Sequence, residues 1–201
     1  MAQTGALEGQ EQKLLRLYRL LLKKYLETIN EKEKRTIGEI KGLVDKDDMT
    51  IQSLISRFKA ADYSFEKDYL SAAQKAYDFT AKEIDFAKAD IDISFWLSPK
   101  EVIENKIADD EDLAVFLCSA LFALGDSKAA VVIAELDNLS THAFVITEFK
   151  NRFFLFDPSQ KKPVATFSGE KEKVLEKYSF EGAKLRRFLY KFNREEYEQF
   201  F

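Results

Sequence analysis

An α+β fold is predicted, with a central buried helix packed on an antiparallel sheet and an N-terminal helical layer. Three features of the 201-residue sequence predict it. Residues 112–124 read DLAVFLCSALFAL, apolar on every side after the first turn, as a fully buried helix must be. Three short apolar runs follow at once, separated by breaks of hairpin length. Ahead of the buried helix, several segments repeat apolar residues at spacings of three and four, the period of helices that each bury one face.

The elements follow in order. Residues 1–10 are small and polar and are expected to be a disordered N-terminus. Residues 11–60 form the N-terminal helical region. Its first helix runs from Glu11 to about Arg35, with Leu14, Leu17, Tyr18, Leu21, Leu22, Tyr25, Leu26 and Ile29 in one wide stripe. Leu14, Tyr18, Leu21 and Tyr25 also fit a heptad seam, but two heptads do not make a coiled coil. A short helix carries Ile37, Ile40, Leu43 and Val44; another starts at Thr50 as N-cap and carries Ile51, Leu54, Ile55 and Phe58. The main domain is expected over residues 61–201. A longer helix follows Ser64, Asp90–Ser94 is irregular, and Ser98-Pro99 caps and opens a short helix through Val102 and Ile103.

Gly125 ends the buried helix as a C′ residue. Strands are expected at Ala129–Leu136, His142–Phe149 and Arg152–Asp157, a meander closed by turns at 137–140 and 150–151. Val164–Phe167 and Lys184–Phe192 are further strand candidates, and Glu170–Tyr178 and Arg194–Phe200 read as helical.

Composition excludes several functions. One Cys rules out an internal disulfide, a CxxC redox pair and a zinc finger; one His rules out a HExxH protease. A net charge of −4 is no signature of a nucleic-acid binder, and Lys184, Arg186, Arg187 and Lys191 read as a solvated strand face. Without a long apolar span or a signal-peptide pattern, the expectations are no membrane and a cytoplasmic location.

The order of buried helix, strand, strand beginning at His142 and strand ending in Asp157 resembles the transglutaminase-like (papain-like cysteine protease) superfamily, particularly its microbial members. In those proteins the nucleophile sits in Gly-Asp-Cys-Glu-Asp at the start of the central helix. The matching stretch here is Ala108-Asp109-Asp110-Glu111-Asp112. The family's lead-in resembles Trp96-Leu97-Ser98-Pro99, its histidine motif His142-Ala143-Phe144-Val145 and its aspartate motif Phe156-Asp157-Pro158-Ser159. The resemblance implies a transglutaminase-like fold. It also implies a triad at Asp110, His142 and Asp157, with Trp96 on the oxyanion side. The departure is at the nucleophile, where Asp110 replaces cysteine, and at Ala108, where the family has glycine.

Cys118 does not fill the gap. It lies eight residues beyond Asp110, about 12 Å along a helix and about 80° around it. It is in an apolar stretch that would raise its thiol pKa, away from the helix N-terminus that favours a thiolate. Asp110 would instead pair with His142, which Asp157 would flank on the other ring nitrogen; two carboxylates would hold the imidazole protonated. The leading reading is a catalytically inactive binding or scaffolding module, with a protein or peptide partner through the cleft or the N-terminal helix. No cofactor and no metal are expected. The competing reading is a hydrolase or amidase using Asp110, His142 and Asp157 with water or a metal. A third reading, that Asp110 was introduced for a native cysteine, is disfavoured by the accompanying Ala108.

Overall fold

The computed structural model describes residues 4–88 and 95–201. The chain divides into two units, 1–35 with 89–95, and 36–88 with 96–201. The first contains α1 (Thr4–Lys32), a single 29-residue helix that takes in most of the stretch expected to be disordered. The Arg35 guanidinium pairs with Glu33 at 2.9 Å just beyond its end. The expected irregular stretch Asp90–Ser94 lies outside the described residues.

The second unit holds everything else. Its helices are α2 (Ile37–Leu43), α3 (Met49–Ser56) and α4 (Phe65–Glu83). Thr36 and Glu39 form a reciprocal capping box at the start of α2. Asp48, not Thr50, caps α3, its carboxylate accepting from Thr50 N at 2.8 Å and Ile51 N at 3.1 Å. An aspartate reaches both orphan donors, which a Thr two residues later cannot do. Then come β1 (Asp85–Phe86), α5 (Pro99–Asn105), β2 (Ile107–Ala108) parallel to β1, and α6 (Asp110–Ala123). Ser98 and Glu101 box the start of α5, with Pro99 at its first turn as expected.

The remaining strands are β3 (Ala130–Leu136), β4 (Thr141–Phe149), β5 (Arg152–Phe156), β6 (Ser168–Gly169), β7 (Ser179–Phe180), β8 (Ala183–Phe192) and β9 (Tyr197–Gln199), with α7 (Lys171–Lys177) before β7. They form one antiparallel sheet ordered β6-β5-β4-β3-β8-β7, with β9 also on β8. The expected meander is therefore β3-β4-β5, and Lys150 and Asn151 turn its second hairpin with both residues at positive φ. Two expectations are corrected. Val164–Phe167 is a 3-10 turn, because Pro163 fixes the backbone ahead of it and has no N–H for a ladder. Arg194–Phe200 is not helical. The Asn193 side chain accepts from the N–H groups of Glu195 and Glu196 and turns the chain back as β9 along Tyr190–Phe192.

Both faces of the sheet are covered, which is why its strands read as almost unbroken apolar runs. Val131 and Ile133 face the core under α3, α4 and α6; Val132, Ala134 and Leu136 face the opposite layer with Phe167, Val174 and Tyr178. Every side chain of α6 from Asp112 to Phe122 is buried, and each large apolar one contributes about 1.5–3 kcal/mol. Its C-terminus is pinned by Lys59 Nζ and Tyr63 OH, which donate to the carbonyls of Ala123 and Leu124 at 2.7 and 2.8 Å. Gly125, at φ 101°, closes the helix as a C′ residue. A helix held at both ends presents its first turn to the start of β4 without freedom to slide.

Candidate functional site

The site forms where the first turn of α6 meets the first residues of β4. Asp109 caps the helix by accepting from Asp112 N at 2.9 Å, so Asp110 stands at the first helical position with its side chain free of capping duty. β5 pairs with β4 only as far as Val145, which leaves Ala143 beyond the ladder on that side. Its N–H donates instead to Asp110 Oδ2 at 2.7 Å. The same oxygen lies 2.8 Å from His142 Nδ1. One carboxylate thus ties helix to strand twice.

On the other side of the ring, His142 Nε2 is 3.1 Å from Asp157 Oδ2. Asp157 ends β5 and caps the Asp-Pro-Ser turn, where its Oδ1 accepts from the Ser159 N–H and hydroxyl. Its Oδ2 also accepts from Gln160 Nε2 at 2.6 Å and Tyr178 OH at 2.7 Å. Tyr77 OH, from α4, reaches the backbone carbonyls of Asp157 and Lys162 and holds the turn against the helical layer. Phe180 stacks on the imidazole face, centroids 3.7 Å apart and 12° from parallel. Aromatic faces attract cations, so this stacking favours the imidazolium.

His142 is 2% exposed and Asp157 is equally buried, whereas the Asp110 side chain keeps 21% of its surface. Burial alone would push the imidazole pKa down. The hydrogen bonds and charges of Asp110 and Asp157 outweigh it and raise the pKa to about 9. Burial would likewise raise the Asp157 pKa; its imidazolium partner and the hydroxyls of Ser159 and Tyr178 hold it below the ordinary carboxylate range instead. His142 is therefore a cation at neutral pH, clamped between two anions.

The neighbouring acids behave differently. Burial, then the charges of Asp109, Asp110 and Asp112, raises Glu111 to about 8. Burial and Asp109 raise Asp112 to about 7, even though its carboxylate accepts from Leu97 N at 2.8 Å. That last bond ties the Trp96-Leu97 lead-in to α6. Trp96 itself packs edge-on against Phe192, 6.1 Å between centroids, and makes no contact with Asp110, His142 or Asp157 among the described residues' hydrogen bonds and ring contacts.

Cys118 lies mid-helix at 0% exposure, and burial raises its thiol pKa far above the ordinary range. Asp110, His142 and Asp157 are brought together; Cys118 is sealed in the core, and Trp96 packs on Phe192. Sequence reasoning missed Tyr178 and Phe180, which come from residues 178–180 beyond the motifs. The Glu181-Gly182 turn, both residues at positive φ, is the one local signal for the hairpin that brings them in.

As to metal, both imidazole nitrogens are already engaged by carboxylates, and no group of three or more His, Cys, Asp or Glu among the described residues is arranged to hold an ion. The residues present do not make a fitting set of metal ligands.

The fold is similar to that of LapG from Legionella pneumophila. The calcium-bound form is 16% identical with a TM-score of 0.53, covering 87% of each chain. A second LapG structure is 17% identical with a TM-score of 0.53 over 87% of each chain. An EGTA-treated form is 16% identical with a TM-score of 0.52, over 87% of this chain and 84% of that one. At such identities the likeness is one of fold. No curated protein matches the sequence. The transglutaminase-like domain model matches residues 22–181, most of the chain, and this protein belongs to that family.

Proposed function

We propose that this chain is a catalytically silent transglutaminase-like protein that works as a binding or scaffolding module, its nucleophile position filled by Asp110. The observation that carries this reading is the Asp110–His142 contact. The ring nitrogen that would face a nucleophile faces a carboxylate at 2.8 Å, and that carboxylate is fixed by a second bond to Ala143 N–H. A general base needs a free lone pair near the working pH. An imidazole that stays protonated to about pH 9 has none on either nitrogen. Asp110 is itself a weak nucleophile towards amides, and the anhydride it would form is labile. Cys118, sealed in the core, offers no substitute.

In this reading the cleft receives an extended peptide or a side-chain amide of a protein partner without cleaving it. A cytoplasmic location is part of the same proposal, supported by a lone thiol kept inside the core.

One observation favours a second reading. Asp110 retains 21% exposure, so water reaches it, as a hydrolase or amidase using Asp110, His142 and Asp157 would require. Purified protein assayed against a panel of peptides and carboxamides separates the two. The silent module shows no turnover above the level of the His142→Ala variant. Hydrolysis that His142→Ala abolishes would replace it with the hydrolase.

A further inference from the structure

The segment of α1 between Lys13 and Leu26 reads KLLRLYRLLLKKYL: five cations and no carboxylate, in a chain whose net charge is −4. At about 100° per residue, its apolar side chains fill an arc of about 180°, from Leu17 at one edge through Leu21, Tyr25 and Tyr18 to Leu26 at the other. Lys24 borders the Leu17 edge and Arg19 the Leu26 edge. Lys13, Arg16 and Lys23 occupy the middle of the polar face, where Leu20 is the one apolar intruder. The arc is wider than the narrow a/d seam by which two helices pair. Leu14, Leu17, Tyr18, Leu21, Leu22 and Tyr25 are between 40% and 51% exposed.

A wide apolar arc edged by long cationic side chains matches a bilayer surface. There the apolar face sinks to the acyl boundary while Lys and Arg reach back to the headgroups. From Lys13 to Leu26 the polar face carries only positive charge, with Glu11 before it and Glu27 and Glu31 after it on the same helix. This local run of five cations selects anionic headgroups, such as those of a cytoplasmic leaflet. No helix among the described residues is long and apolar enough to cross a membrane. The expectation of no membrane rested on the lack of a long apolar span and of a signal-peptide pattern, neither of which bears on a helix lying in the surface plane. We propose that α1 is a peripheral membrane-binding helix that docks this protein on anionic lipid.

The test is co-sedimentation of the full chain with vesicles of mixed phosphatidylserine and phosphatidylcholine, against vesicles of phosphatidylcholine alone. The protein is expected to pellet with the anionic vesicles, far less with the neutral ones, and to be released by high salt. Each cation removed weakens binding about fivefold, so the Arg16→Gln/Lys23→Gln variant binds about 25-fold more weakly. Both positions are exposed and polar, so that variant keeps its helix content by circular dichroism. A second variant, Leu17→Ser/Leu21→Ser, loses vesicle binding through the apolar face. The proposal is overturned if wild-type protein ignores anionic vesicles, or if Arg16→Gln/Lys23→Gln binds them equally well. It is also overturned if light scattering shows a dimer that Leu17→Ser/Leu21→Ser disperses while vesicles go unbound, since the face then pairs two copies.

Discussion

Replacing Asp110 by asparagine removes one of the two carboxylates that hold His142 as a cation, with almost no change of shape. The amide oxygen can still accept from Ala143 N–H, so the link between helix and strand survives while the charge is lost. In the native protein the imidazole pKa rises from 6.5 to about 9. At about 1.36 kcal/mol per pH unit, that gap is about 3 kcal/mol of folding stability. Its sign follows from the direction of the rise. The contribution is fully present below pH 6.5 and drains away as the pH climbs through about 9. An opposite charge at hydrogen-bond distance is worth about 1–3 pH units, so Asp110→Asn should bring the imidazole to between about 6 and 8. The alkaline loss of stability should then shrink to about 2 kcal/mol or less. Because the chain has one histidine, NMR titration of the imidazole nitrogens reads this pKa without assignment. Urea unfolding between pH 6 and 10 reads the stability. An imidazole titrating near 6.5 in wild-type protein, or one that Asp110→Asn leaves unmoved, would refute the clamp.

Three further outcomes follow from the same geometry. Cys118 should resist alkylation in native protein at pH 8 and react at once in denaturant; fast native labelling would mean the α6 core opens readily. Leu117→Ala, at a fully buried position of α6, should cost about 2–5 kcal/mol in chemical denaturation, since the sheet and the helical layer cannot both close on the cavity. Tyr178→Phe removes a donor from the buried Asp157 carboxylate and should cost about 1–3 kcal/mol near neutral pH, a loss that shrinks at low pH as Asp157 becomes protonated.

Where the sequence was legible, local chemistry and tertiary structure agree. The stretch from Leu113 to Leu121 has no polar face to offer water, so α6 could only be buried. Asp157 sits before Pro158 and Ser159, a combination that turns the chain and fixes the carboxylate at the end of β5. Asp110 and His142 stand out through their motifs, and their contact follows from the first turn of a central helix abutting the first residue pair of a central strand. Where legibility failed, a distant partner decides. Residues 194–200 carry Glu, Arg and Gln suited to a helix, yet the open edge of β8 supplies ladder bonds and a Tyr190–Tyr197 stack that a helix would forgo. Phe180 reaches His142 only because a two-residue turn folds β7 back on β8, and nothing in its neighbours' spacing says which ring it will meet. The extent of α1 was likewise illegible, because its first residues, Thr4 to Gln10, lack the apolar stripe by which helices are recognised.

If Asp110 occupies the nucleophile position of an otherwise preserved site, a cysteine placed there should behave as a nucleophile again. The decisive experiment is therefore Asp110→Cys, read as the pH dependence of thiol alkylation with wild-type protein as the Cys118 background. A thiol paired with the His142 imidazolium at the N-terminus of α6 should be ionised and rapidly alkylated at pH 5–6, well below the ordinary thiol range near about 8.5. A thiol at that position that alkylates only as the pH approaches about 8.5, like any exposed cysteine, would mean that no preserved site surrounds Asp110.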